Sequence, residues 1–101
     1  MTILFKEPGA PCEVREIPNE LEAMQELVGG YIETLRLDGD LFFIVNEDGK
    51  MLGLTPNVVA PNLDILVGPV LIVADGCDGD FRALTDEEIE FCKEYLTCCE
   101  V

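Results

Sequence analysis

Histidine is missing from this 101-residue chain, and only six lysines and arginines stand against 21 aspartates and glutamates. Without imidazole, a Ser-His or Cys-His nucleophilic dyad cannot be assembled within the chain. Zinc sites with histidine ligands are closed to it as well. No Cys-x-x-Cys pair is present, and Cys98-Cys99 is vicinal, a poor geometry for tetrahedral ligation. The scarcity of bases argues against direct contact with nucleic acid or anionic membranes, because phosphate binding relies on clusters of Lys and Arg. No apolar run approaches the roughly 18 residues that a bilayer span needs. Met1 to Pro8 lacks the charged-then-apolar pattern of a leader. The cysteines (Cys12, Cys77, Cys92, Cys98 and Cys99) are odd in number, so reduced thiols and a cytoplasmic setting are expected. No cofactor is expected.

What is present is a folded body carrying a large negative charge. Apolar residues make up 49% of the chain, too many for a disordered acidic tail, and the net charge is −15. At this length a single domain over residues 1–101 is expected. Most carboxylates have no basic partner available within the chain, so their repulsion opposes the compact state and is relieved by salt. A basic protein is the partner that such a surface accommodates most easily.

Ile3 to Glu7 and Glu13 to Ile17 read as short strands around Pro8-Gly9-Ala10-Pro11. A helix follows, with Asn19 placed to cap it and Glu22 to complete a capping box. Its apolar stripe is Leu21, Met24, Leu27 and Val28, and Gly29-Gly30 supplies the stop. Three strands, Tyr31 to Leu37, Leu41 to Asn46 and Lys50 to Leu54, are expected around turns at Asp38-Gly39 and Asp48-Gly49. Leu41 to Val45 is apolar at every position, as in a strand covered on both faces. Thr55 to Leu63 reads as irregular, Val70 to Ala74 as a buried strand and Phe81 to Leu84 as a short extended piece. Thr85 and Glu88 form a second capping box, opening a final helix with the stripe Ile89, Cys92 and Leu96. The predicted architecture is α+β: a mostly antiparallel sheet of five or six strands with two helices packed on one face.

Three constellations could carry chemistry. Asp75-Gly76-Cys77-Asp78-Gly79-Asp80 places three carboxylates in one turn, either as oxygen ligands for calcium or magnesium or as plain turn chemistry. Its spacing departs from that of an EF-hand loop. Paired carboxylates are the currency of glycoside hydrolysis, but in so acidic a chain pairs arise by chance. Residues 75 to 101 hold nine acids and two bases, making the last helix and its entry turn the acidic pole. There Asp86, Glu87, Glu90 and Glu94 are either a solvated helix face or a surface that imitates DNA phosphates for a basic protein.

The run from Leu21 to Glu33, centred on Leu27-Val28-Gly29-Gly30-Tyr31-Ile32-Glu33, resembles the signature of a family of small bacterial proteins, a domain of unknown function. Asn46 to Lys50 with Leu52-Gly53-Leu54, Pro56-Asn57 with Ala60, Asp64 to Val70 and Phe81 to Ile89 are similar to its later motifs. Members are common in phages and conjugative elements. The resemblance implies one α+β domain and a mobile-element setting, and it brings no catalytic residues. Tyr31 and Asn57 are the motif residues whose phenol and amide suit recognition. The expectation is a non-enzymatic acidic interaction protein that inhibits a nucleic-acid-binding protein by charge mimicry. The alternative is a small-ligand or divalent-cation domain using Asp75, Asp78 and Asp80.

Overall fold

Two short hairpins and a helix open the fold in the computed structural model, which describes residues 1–101. Strands β1 (Thr2–Lys6) and β2 (Glu13–Glu16) come first, then helix α1 (Leu21–Val28), then β3 (Ile32–Asp38) and β4 (Leu41–Asn46). A separate small hairpin, β5 (Pro56–Val59) with β6 (Ile65–Val67), leads into β7 (Val70–Asp75), β8 (Phe81–Arg82) and helix α2 (Asp86–Cys98). The main sheet runs β2-β1-β7-β4-β3, with β8 on β7, and every pairing is antiparallel. The chain is thus the expected α+β fold, a six-stranded antiparallel sheet with two helices.

Alternation along the central strands builds two cores. Leu4 of β1, Phe43 and Val45 of β4, and Val70, Ile72 and Ala74 of β7 point to one face, where Ile89, Cys92 and Leu96 of α2 cover them. Ile3, Phe5, Ile44, Leu71 and Val73 point to the other, under Met24 and Val28 of α1. The helices therefore lie on opposite faces, not together. Apolar side chains at both parities of β4 and β7 require two covers, since each fully buried Leu or Ile contributes about 1.5–3 kcal/mol.

Local chemistry explains where the elements stop. Gly29 closes α1 at φ 81°, the left-handed conformation glycine adopts without a Cβ penalty. The start of α1 differs from expectation. Glu20 takes the cap position with no side-chain bond, while the Asn19 amide donates to the Phe81 carbonyl at 3.0 Å. Leu21 belongs to the expected stripe yet is half exposed, because only Met24 and Val28 of α1 are buried against the sheet.

The expected strand at Lys50 to Leu54 is a coil of turns instead. Leu52 donates to the Asp48 carbonyl and Leu54 to the Gly49 carbonyl, so the chain winds rather than reverses. Gly49 is needed there for space: a Cβ would meet Val67 Cγ2 at 2.9 Å. The winding delivers Pro56 to β5, within the segment expected to be irregular. Proline is tolerated as the first residue of a strand.

Candidate functional site

Helix α2 is oriented by its capping box. The Glu88 amide donates to Thr85 Oγ1 at 3.2 Å and the Thr85 amide to Glu88 Oε1 at 2.9 Å. Arg82 on β8 forks onto the same carboxylate, donating at 2.8 and 2.9 Å. These hydrogen bonds, the Arg82 pair first, hold the Glu88 carboxyl down at about 2. Glu88 is therefore engaged within the fold.

Its neighbours are not. Asp86, Glu87, Glu90 and Glu94 are all exposed, and none takes part in an ion pair. From Asp86 to Glu94 the helix rises about 12 Å, and at about 3.6 residues per turn the four carboxylates spread over about 100° of its circumference. Among them stands Phe91, 43% exposed, an aromatic ring on an otherwise polar face. The sequence offered one signal for it: Phe91 interrupts the run of acids outside the Ile89-Cys92-Leu96 stripe.

The acidic turn is organised for itself. Asp75 Oδ1 accepts from the Cys77 amide, Asp78 Oδ1 from the Asp80 amide, and Asp80 Oδ1 from the Phe81 amide, at 3.0–3.1 Å. No three of the chain's carboxylates and thiols come together in a group able to hold a metal ion. Each of the three aspartates thus caps a backbone amide of the turn.

Asn57 and Tyr31 have opposite surroundings. Asn57 is fully buried, its amide donating to the Lys6 and Gly68 carbonyls at 2.9 Å while its Oδ1 accepts from Lys6 Nζ at 2.6 Å. A buried amide with every bond inside the fold joins β1, β5 and the entry to β7, and is not presented to a partner. Tyr31 is 69% exposed at the entrance to β3, and its carbonyl accepts from the Glu47 amide.

Lys6 completes a cluster that the sequence reading passed over. The ammonium is buried and reaches Glu100 at 3.1 Å. A signal was present: strand parity puts Lys6 on the core face with Leu4. The C-terminal residues are pinned here, with the Val59 amide donating to the Cys99 carbonyl and the Val101 amide to the Asn57 carbonyl. All five cysteines are free, and burial pushes the Cys92 thiol up to about 12.

Another part of the sequence signature packs under α1. Asn46 is buried, donating to the Val28 carbonyl at 3.1 Å and accepting from the Asp48 amide at 2.8 Å. A Cβ on Gly30 would meet this amide at 3.0 Å. A family model described as a domain of unknown function, DUF3846, matches residues 1–97. The chain belongs to the DUF3846 family. No curated protein and no solved structure matches it. Within this DUF3846 domain, the signature segments Gly29-Gly30, Asn46 to Gly49 and Pro56-Asn57 join helix, sheet and small hairpin. No helix is long and apolar enough to cross a membrane.

Proposed function

We propose that this DUF3846 protein is a non-enzymatic interaction protein whose α2 stripe engages the basic surface of a partner protein. In the fuller reading the partner is a nucleic-acid-binding protein, inhibited by charge mimicry in the cytoplasm of a cell carrying a phage or mobile element. The observation that carries the proposal is the four exposed, unpaired carboxylates Asp86, Glu87, Glu90 and Glu94 on one rigid helix face. A predominantly negative helix surface, with Lys93 the one base on α2, steers a basic partner and makes the encounter fast and salt-sensitive. Phe91 adds an apolar anchor of the kind that carries binding energy at interface centres. The chain's buried polar side chains, Lys6, Asn46 and Asn57, all serve internal bonds, which supports a binding rather than a catalytic part.

The test is capture from lysate of cells that carry the protein, with wild type and an Asp86→Lys, Glu87→Lys, Glu90→Lys, Glu94→Lys variant as baits. Circular dichroism checks that the variant is folded. A partner retained by wild type and lost from the folded variant supports the reading. Equal retention contradicts it.

A further inference from the structure

The two edges of the main sheet are not alike. Strand β2 is four residues long and charged at Glu13, Arg15 and Glu16. Short charged strands of this kind are the ordinary protection against unwanted pairing. Strand β3 is seven residues long, and its protection is confined to one end, where Arg36 and Asp38 flank a register shift. From Ile32 to Leu35 only Glu33 is charged. The Tyr31 carbonyl accepts from Glu47, so alternation of the ladder turns Glu33 and Leu35 toward β4. The amides and carbonyls of Ile32 and Thr34 are left on the outer edge.

A cleft lies beside this open half on each face. On the α1 face Leu21, Ile32, Phe42 and Phe81 line a cleft of ≈ 440 Å³ together with Asp75 and Asp80. On the opposite face Leu35, Val45 and Ile65 line a smaller one of ≈ 140 Å³, where Lys50 pairs with Asp64 and the carboxylates of Glu33 and Glu47 are left without an ion pair. Exposed Tyr31 stands at the entrance.

We infer that the open half of β3 accepts an extended segment of a partner protein as an added strand. Successive side chains of a strand point to opposite faces, so such a segment fills both clefts at once. The larger cleft, with Phe42 and Phe81 in its lining, takes apolar side chains, and the smaller one, where Glu33 and Glu47 make no ion pair, takes lysines or arginines. The occupant is therefore a segment alternating apolar and basic residues. A second copy of this chain is a poor occupant, because −15 would meet −15.

The probe is an eight-residue peptide of alternating valine and lysine, titrated calorimetrically at low salt. The controls are a peptide with the four valines and four lysines in separate blocks, and two alternating peptides N-methylated at opposite parities. The inference predicts that the alternating peptide binds and that the block peptide binds at least tenfold more weakly. One methylated peptide retains affinity and the other loses it. Thr34→Pro, which removes an outward amide and leaves the ladder to β4 intact, lowers affinity at least tenfold. Absence of binding by the alternating peptide, equal binding by the block peptide, or equal binding by both methylated peptides would overturn the inference. The methylated pair decides the matter even if the proline variant fails to fold.

Discussion

Lys6 and Asn57 are bonded to each other twice: the ammonium donates to Oδ1 at 2.6 Å, and the amide donates to the Lys6 carbonyl at 2.9 Å. Both side chains lie in the interior, 51 positions apart in sequence. The pair fastens β5 to the end of β1, and Glu100 supplies the opposing charge. A buried ammonium without partners is among the costliest features a fold can hold.

Asn57→Leu should accordingly destabilise the domain by about 3 kcal/mol or more, because it leaves a buried charge and two carbonyls short of partners. Urea denaturation checks this. Asn57→Leu combined with Lys6→Met should recover the part of the loss that comes from the ammonium, while the Lys6 and Gly68 carbonyls stay short of a donor. A single variant within about 0.5 kcal/mol of wild type, the range of ordinary surface substitutions, would contradict the account.

Glu88 should give the acid limb of stability a recognisable component. Its carboxyl is held at about 2, below the ordinary value of 4.5, chiefly by the Arg82 hydrogen bonds. A depressed carboxyl contributes its full stabilisation above the unfolded value and loses it as pH falls from about 4.5 toward about 2. Stability profiles of wild type and Glu88→Gln should converge over that window. At neutral pH the wild type should lead by on the order of 1 kcal/mol, as befits a half-exposed pair joined to a cap. Parallel profiles would show that the pair contributes nothing through its charge.

Thiol reactivity should sort by burial. Cys77 and Cys98 are exposed, while Cys92 is fully buried with its thiol pushed up to about 12. Brief alkylation of the native protein at pH 8, read by peptide mass spectrometry, should label Cys77 and Cys98 and spare Cys92. Labelling of Cys92 at a comparable rate would mean that α2 detaches readily from the sheet.

Tyr95 links α2 to β5, its hydroxyl donating to the Val59 carbonyl at 2.8 Å and its ring lying 6.0 Å from that of Phe43. Burial first of all pushes the phenol up to about 12. Tyr95→Phe keeps the ring contact and removes the bond, so it should cost about 1 kcal/mol by denaturation. Spectrophotometric titration should show the Tyr95 phenol ionising well above the ordinary tyrosine value of 10.

Much of the fold was legible because local rules and tertiary structure agree. The Thr85-Glu88 box, the Gly29 stop and the β3–β4 hairpin each follow from chemistry confined to a few neighbouring residues. The failures fall where the deciding partner is distant in sequence. Asn19 is a good cap by type, but the Phe81 carbonyl 62 positions away takes its amide. Asp48-Gly49 has a hairpin signature, yet no strand is placed to pair with Lys50 to Leu54. Whether helices share a face is a property of connection geometry that apolar periodicity does not encode. The α2 stripe was readable because helical spacing places solvent-facing acids without reference to the rest of the chain. The inward direction of Asn57 was not, because turn and core asparagines share one sequence pattern.

We propose that the α2 stripe occupies a basic, nucleic-acid-binding surface. The most direct measurement is displacement: partner captured on immobilised protein is washed with rising concentrations of duplex DNA, beside a neutral polymer control. The account predicts that DNA releases the partner and that released partner is a nucleic-acid-binding protein, with no capture by the folded charge-reversed variant. Retention of the partner through saturating DNA, or equal capture by that variant, would contradict it.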